Sequence, residues 1–335
     1  MNKKVFEKIN LGGIEVNNRF IRSATVVQKA TIDGYVTEDL LDMYRELSEG
    51  QVGLIITGTM GIIEGADNSK LLRIHDDSYL EGLKKLVDVA HKNHSKIIPQ
   101  LGHGGTLQMT KAEIQSFVEQ FGEAALRSKK AGFDGVQVHA AHGFLFSKFL
   151  SPYHNRRTDE YGGSLENRTR IMLEVLDSIK TKCGTDFPVF IKINSSDFFE
   201  NGNGFTFEEC KEAAKIFADA GFDAIEISGG AAGGEYGPAR SKIHLKEQEA
   251  YHKDYAAEIA QEVSIPVILV GGIRSIEVAE DILEETNIEA ISLSRPLIRE
   301  PKLIKRWVEG NTEKAKCISC NRCFNPEGAS CIFNK

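Results

Sequence analysis

The chain has 335 residues, of which 41% are hydrophobic and 27% charged, a composition typical of a globular protein in water. Its net charge of −7 argues against a surface for nucleic acid or anionic membrane. There is no run of about 18 apolar residues, so no membrane span is predicted. The first residues, MNKKVFEKIN, lack the apolar segment of a secretory signal, so we expect a cytoplasmic protein with reduced thiols.

Short β-branched runs alternate with longer amphipathic stretches along the chain. Strands are predicted at residues 19–24, 52–57, 96–100, 135–139, 189–194, 224–228, 267–270 and 290–293. Helices are predicted between and after them, at 38–48, 79–94, 111–131, 165–182, 207–220, 247–262, 276–284 and 302–308. Runs such as VGLIIT and VILV are apolar throughout, as strands of a parallel sheet covered on both faces must be.

This strict alternation predicts an α/β protein, a single (β/α)8 TIM barrel. The rival fold, an open doubly wound sheet, would place a glycine-rich dinucleotide loop after the first strand. The sequence has Ser23-Ala24-Thr25 at that point instead. We therefore predict one barrel over residues 1–310, followed by a short cysteine-rich tail over 311–335.

Polar and small residues follow the predicted strands, at the end where a barrel carries its active site. The two long insertions, 139–163 and 229–246, also begin there. Gly271-Gly272 follow the seventh strand and Ser294-Arg295 follow the eighth. Glycine amides, a helix N-terminus and an arginine suit a phosphate group. The alternative is a pair of tight turns beside a surface arginine.

Four more side chains are predicted at this mouth. The Gln100 amide can both donate to and accept from a flavin pyrimidine edge. Lys192 could stabilise an anionic reduced flavin or could belong to a buried ion pair. His139 and His142, in the sequence H-A-A-H, could donate two hydrogen bonds to a carbonyl or phenolate oxygen. A metal site is less favoured, because no nearby carboxylate or third histidine completes it.

Seven segments in order resemble the Old Yellow Enzyme family of FMN oxidoreductases, over residues 5 to about 307. The most specific, at residues 136–170, is VQVHAAHGFLFSKFLSPYHNRRTDEYGGSLENRTR. The others are NNRFIRSAT, VGLIITGT, PQLGHGG, FIKINSSD, PVILVGGI and SLSRPLI. Within the longest segment, NRRTDEYGGSLENR is expected to be structural, fixing a loop and starting a helix at Ser164.

The resemblance implies FMN at the barrel mouth, NAD(P)H as reductant, and hydride transfer from flavin N5 to the β-carbon of an activated alkene. It implies that His139 and His142 hold the electron-withdrawing oxygen of a small-molecule substrate. The positions that match the family's flavin contacts are Ser23, Ala24, Thr25, Val26, Thr59, Gln100, Lys192, Gly271, Gly272, Ser294 and Arg295.

One position departs from the family. Its members commonly have a tyrosine two residues after the second histidine, as the acid that protonates the substrate α-carbon. This chain has Phe144 there, which cannot donate a proton. Either another group or water donates, or the natural reaction is not simple alkene reduction. Tyr35, Tyr236 and Tyr251 are the candidate replacements.

Four cysteines, Cys317, Cys320, Cys323 and Cys331, lie within the last 19 residues in the pattern C-I-S-C-N-R-C-x₇-C. Thiolates at this density can hold an iron–sulfur cluster or zinc, or can remain free. The tail resembles the 4Fe-4S segment of the dienoyl-CoA reductase and trimethylamine dehydrogenase branch, with a shorter last interval. Cys183 and Cys210 are isolated and expected to be ordinary core or surface residues.

The leading hypothesis is an FMN-dependent NAD(P)H oxidoreductase acting on α,β-unsaturated carbonyl compounds, with the capacity to form homo-oligomers. A second is an amine- or ether-type dehydrogenase whose electrons leave through a cluster in the tail. A third is a phosphate-binding aldolase or isomerase, which Lys192 alone supports. A fourth is a flavin-binding electron carrier without catalysis, which Phe144 favours.

Overall fold

A computed structural model describes residues 3–65, 70–102, 105–324 and 328–334. Positions 325–327 and 335 of the predicted tail, and positions 103–104 of the segment PQLGHGG, lie outside the described residues. A hairpin comes first, formed by β1 (Ile9–Leu11) and β2 (Ile14–Val16). The strands that follow are β3 (Phe20–Arg22), β4 (Leu54–Gly61), β5 (Lys96–Gly102), β6 (Val136–Ala140), β7 (Val189–Asn194), β8 (Ala224–Ser228), β9 (Val267–Val270) and β10 (Ala290–Leu293).

Strands β3 to β10 pair in parallel and in sequence order, and β10 pairs back onto β3 to close an eight-stranded barrel. Helices lie between and after the strands, at α1 (Glu38–Glu49), α2 (Leu80–His91), α3 (Lys111–Ala131), α4 (Leu145–Leu150), α5 (Leu165–Cys183), α6 (Phe207–Ala220), α7 (Lys253–Glu262), α8 (Ile276–Glu285), α9 (Arg295–Arg299) and α10 (Leu303–Val308). The predicted TIM barrel is confirmed.

Two apolar layers hold this architecture together. Outside the strands, the helices bury their apolar faces against the sheet. Inside, at the N-terminal end, a smaller cluster fills the barrel, and the hairpin residues Leu11, Ile14 and Val16 pack onto it from below. The hairpin therefore closes the bottom of the barrel, which leaves the C-terminal end as the open mouth. No helix among the described residues is long and apolar enough to cross a bilayer.

The insertion after β6 is fixed by side-chain bonds to backbone carbonyls. Asn155 Nδ2 donates to the carbonyls of Phe149 and Tyr161, both at 2.8 Å. Arg157 donates to two carbonyls of the loop between β5 and α3. Ser164 caps α5 by accepting from the Asn167 amide. The predicted structural role of NRRTDEYGGSLENR is confirmed.

Some predicted elements differ from the observed ones. The hairpin, α4 and α9 were not predicted, because pieces of three to six residues carry little periodicity. The helix predicted at 247–262 starts only at Lys253. Ala250 has a left-handed φ of 54°, so the chain turns there, and the Glu249 carboxylate accepts from the amides of Arg274 and Ser275.

Candidate active site

A cavity of about 250 Å³ opens at the C-terminal ends of the barrel strands. It brings together residues predicted from all parts of the sequence, since each strand end contributes to the same rim. Gly271 lies between two lining residues, and its carbonyl accepts from the Tyr251 amide. The predicted residues that line the cavity are Ser23, Ala24, Thr25, Val26, Thr59, Gln100, His139, His142, Lys192, Gly272, Ser294 and Arg295.

The two histidines meet on one side of this cavity, with ring centroids 5.5 Å apart. His139 is the second-last residue of β6, and its Nδ1 is buried without a hydrogen-bond partner. His142 follows with a left-handed φ of 65°. Its Nε2 lies 2.8 Å from Ser228 Oγ, and its backbone amide donates to Asn194 Oδ1. These contacts hold the His142 ring at the mouth.

Both imidazoles are neutral at physiological pH. Burial, assisted by the positive charge of Lys192, lowers the pKa of His139 to about 3. The same two causes hold the pKa of His142 well below its usual value. A neutral imidazole carries one N–H and one bare nitrogen, so each ring can donate one hydrogen bond. The pair can therefore donate to a ligand oxygen without carrying charge into the site.

Lys192 forms a buried ion pair and also reaches the cavity. Its Nζ lies 3.2 Å from Glu226 Oε1 and 2.9 Å from Ser23 Oγ, so the buried ion pair is real. It also lines the cavity. Further round the barrel, on β5 and β4, Gln100 Oε1 accepts from Thr59 Oγ1 at 2.6 Å. Together these side chains form a polar floor under the cavity.

The opposite side of the cavity carries the glycines and arginines. Gly272 has a left-handed φ of 73°, and a Cβ there would lie 2.6 Å from the Tyr251 ring. Arg295 is buried and donates to the Arg240 carbonyl at 2.8 Å. Arg274 lines the cavity, and its Nε is buried without a hydrogen-bond partner.

Two backbone amides of the predicted phosphate site already donate hydrogen bonds to a carboxylate of the protein. The amides of Arg274 and Ser275, just before α8, donate to Glu249. These two amides are therefore not available to a phosphate. The Gly272 backbone and the arginines remain as the groups that could bind an anion.

Phe144 stands beside the histidines, 44% exposed, with its ring centroid 4.8 Å from that of His139. Of the three candidate proton donors, Tyr251 lines the cavity. Tyr35 stacks on a neighbouring tyrosine and its hydroxyl bonds to a serine. Tyr236 packs 3.8 Å from the Arg240 guanidinium in an adjoining cleft. The structure thus reduces the three candidates at this cavity to one.

The tail cysteines line a second cavity next to the first. Cys317, Cys320, Cys323 and Cys331 surround it with Arg295, which also lines the mouth cavity. All four are free thiols. Burial raises the pKa of Cys317 and of Cys323, opposed in part by Arg295. Among the described residues, no group of three or more His, Cys, Asp or Glu side chains is placed to hold a metal ion.

Sequence reasoning missed the polar residues below the strand ends. Glu226 and Gln137 point into the barrel from β8 and β6 and are wholly buried. A signal was available, because each is a polar residue flanked on both sides by apolar ones within its strand, in AIEIS and VQVHA. Arg274 was also missed as a lining residue, since it lies outside the predicted strand ends.

A sequence model of the NADH:flavin oxidoreductase / NADH oxidase family matches residues 4–108 and 106–314. The chain belongs to this family. The family's name gives NADH and flavin as the reactants of its members. Family membership separates the chain from the aldolase and isomerase alternative. That alternative would also need Lys192 to be free, whereas Lys192 is paired with Glu226.

Individual relatives agree with this assignment. The chain is 34% identical to an NADH oxidase of Thermoanaerobacter brockii over 95% of its own length and 52% of the relative's. It is 30% identical to a metal reductase of Desulforamulus reducens, over 98% and 53%. A 2-naphthoyl-CoA reductase structure superposes with a TM-score of 0.87 at 27% identity, over 96% and 54%. The chain thus spans about half the length of these relatives.

Proposed function

We propose that this protein is an FMN-dependent NAD(P)H oxidoreductase that reduces the activated C=C bond of α,β-unsaturated carbonyl compounds. The observation that carries the proposal is the neutral His139–His142 pair in the same cavity as the polar floor and the glycine–arginine wall. When bound, FMN supplies the hydride, taken from NAD(P)H and passed from N5 to the substrate β-carbon.

The residues of the cavity fit the cofactor on three observations. The Tyr251 ring leaves no room for a side chain at position 272. The Gly272 backbone therefore faces the cavity without a side chain that could cover it. The buried Arg274 Nε has no hydrogen-bond partner, although it lies 4.0 Å from Glu249 Oε1. Gln100 and Lys192 present polar atoms on the opposite side. The groups proposed to hold FMN are Ser23, Ala24, Thr25, Val26, Thr59, Gln100, Lys192, Gly271, Gly272, Ser294 and Arg295.

The histidines bind and polarise the substrate in this proposal. Ser228 occupies Nε2 of His142, so Nδ1 is the nitrogen left for a ligand. Two N–H donors on one carbonyl oxygen stabilise the negative charge that develops there as hydride arrives at the β-carbon. Because Lys192 and burial keep both rings neutral, this donation does not depend on pH near neutrality.

The experiment uses anaerobic protein loaded with FMN. We expect NADH or NADPH to bleach the flavin absorbance, and a cyclic enone added afterwards to restore it. The double variant His139→Ala, His142→Ala should still bleach but should recover far more slowly. Full bleaching without recovery by any enone, in the wild-type protein, would reject alkene reduction while retaining the flavin.

A second candidate function is electron transfer out of the flavin through a 4Fe-4S cluster in the tail, in a dehydrogenase or an electron-transfer protein. Four cysteines line one cavity, and that cavity shares Arg295 with the mouth. Zinc is the competing occupant. The relatives named NADH oxidase and metal reductase are compatible with an acceptor other than an alkene.

Metal and sulfide analysis of protein purified without oxygen tests this candidate. We expect about four irons and four acid-labile sulfides per chain, as the cluster formula requires. Cys320→Ser should lose iron, and the matched control Cys210→Ser, buried in α6, should retain it. Zinc in place of iron, or equal iron in both variants, would overturn the cluster assignment.

A further inference from the structure

A carboxylate lies in the middle of the barrel, directly beneath the mouth cavity. Glu226 is 0% exposed. Its Oε1 accepts from Ser23 Oγ at 2.7 Å and Ser292 Oγ at 2.8 Å, and lies 3.2 Å from Lys192 Nζ. Its Oε2 accepts from Gln137 Nε2 at 2.9 Å. Both oxygens are therefore engaged by groups from other parts of the barrel.

Such a residue is unusual in this place. Barrel interiors are mostly filled by layers of branched apolar side chains, and the layer below Glu226 is of that kind. A buried charge is costly unless it is paired and hydrogen-bonded. Burial opposes ionisation of Glu226, but Lys192 and the hydrogen bonds from Gln137, Ser23 and Ser292 outweigh it and hold its pKa below the usual value. The group is thus a carboxylate anion, which can only accept hydrogen bonds.

Because Glu226 can only accept hydrogen bonds, it fixes the orientation of Gln137, and Gln137 in turn fixes that of Gln100 at the cavity. Gln137 must turn Nε2 towards the carboxylate, which leaves its Oε1 for Gln100 Nε2, at 2.9 Å. Gln100 Oε1 then accepts from Thr59 Oγ1 at 2.6 Å. An amide side chain can otherwise be placed either way round. The anion at the start of the relay therefore decides which end of the Gln100 amide is the donor.

We propose that Glu226 is a positioning residue for the cofactor, which orients the Gln100 amide through Gln137 and offsets the positive charge of Lys192. This inference rests on the proposed binding of FMN in the mouth cavity. Its consequence is electrochemical. A lysine beside the flavin favours the anionic reduced form, and the nearby carboxylate weakens that preference. Glu226 therefore lowers the midpoint potential of bound FMN.

The test compares two variants of the FMN-loaded protein. Glu226→Gln keeps the shape and removes the charge, so it should bind reduced FMN at least about tenfold more tightly relative to oxidised FMN. For a two-electron couple this is a rise of about 30 mV in the midpoint potential. Gln137→Met cuts the relay but leaves the Glu226–Lys192 pair, so it should weaken binding of oxidised FMN about tenfold with a much smaller change in potential.

The outcomes separate the two proposals. A wild-type protein that does not bind FMN refutes the proposed function. A wild-type protein that binds FMN, with an unchanged or lower potential in Glu226→Gln, overturns the charge role of Glu226. If Glu226→Gln fails to fold, the test rests on Gln137→Met. Unaltered FMN affinity in that variant overturns the claim that Glu226 orients Gln100 through Gln137. Ser292→Ala, which removes one hydrogen bond and no charge, is the matched control and should shift the potential less than Glu226→Gln.

Discussion

The two adjoining cavities are built in different ways. The mouth cavity collects side chains that are far apart in the chain, such as Thr25 and Ser294 at a separation of 269 residues, and the barrel's own hydrogen bonds and core hold them in place. The cysteine cavity is formed mainly by one short segment of tail. That segment is tied to the barrel by backbone bonds such as Ala315 to Arg274 and Lys242 to Ser319. Changes at the mouth should therefore disturb the whole fold, whereas changes among the cysteines should act locally.

The largest expected effect comes from breaking the buried ion pair. Lys192→Met leaves the Glu226 carboxylate unpaired in the barrel, which should cost about 3–5 kcal/mol in the free energy of unfolding. Urea denaturation measures it. The matched control Lys215→Met removes a surface lysine that pairs with Glu212 and Glu262, and should cost less than about 1 kcal/mol. Equal losses of unfolding free energy in the two variants would contradict a structural role for the buried Lys192–Glu226 pair.

His139→Ala should weaken binding of a phenolic ligand to the FMN-loaded protein about 10- to 100-fold, because one hydrogen bond to a charged oxygen is lost. Titration followed by the flavin visible spectrum measures the affinity. His139→Asn keeps an N–H donor and should recover most of it. His91→Ala, on α2 where the ring pairs with Asp134, is the remote control. Unaltered affinity in His139→Ala would remove the histidine from the ligand site.

Phe144→Tyr places a hydroxyl beside the histidines. General acids contribute about 10²- to 10⁴-fold, so alkene reduction should rise at least about tenfold if protonation limits the rate. Steady-state oxidation of NAD(P)H with an enone measures the change. In the same assay, Tyr251→Phe should lower the rate of the wild-type protein if Tyr251 donates the proton. No change in either variant would indicate water as the donor or a different natural substrate.

Gly272→Ala adds a Cβ that meets the Tyr251 ring, at a backbone position that already disfavours side chains. It should destabilise the fold by about 1–3 kcal/mol and weaken FMN binding. Gly310→Ala is the control, with a φ of 93° but no atom within 4 Å of the added carbon. Its cost should be smaller, and FMN affinity should not change. If the two variants behaved alike, the contact with Tyr251 would have no part in the site.

The smallest effect concerns pH. The pKa of His139 falls from 6.5 in the unfolded chain to about 3 in the folded one, so the unfolded state takes up the proton first. Stability is therefore complete above pH 6.5 and is lost as the pH falls towards 3. Between pH 6.5 and 5.5, wild-type protein should lose about 1 kcal/mol more than His139→Asn in urea denaturation. Parallel pH profiles would show that the ring is not buried as a neutral group.

The sequence predicted the barrel well because strand and helix periodicity is local. The bounds of α3, α6 and β7 to β10 follow directly from it. The strand-end rule also placed most lining residues, since parallel strands end on one rim. That rule does not find Glu226, whose role depends on four partners: three on other strands and Ser23, which directly follows β3.

Two other features depend on tertiary contacts that no local pattern encodes. Glu249 reaches the amides before α8 only because the chain turns at Ala250. The tail returns to the mouth, where Ser319 and Phe324 line the cavity, although the last strand ends at Leu293.

The central claim is that the mouth cavity binds FMN, and a titration of flavin-free folded protein with FMN tests it most directly. We predict saturable uptake of one FMN per chain, with flavin fluorescence and visible absorbance altered by the buried site. Lys192→Met, if still folded by circular dichroism, should bind more weakly, and the surface control Lys215→Met should match the wild type. A folded wild-type protein that takes up no FMN would contradict the account.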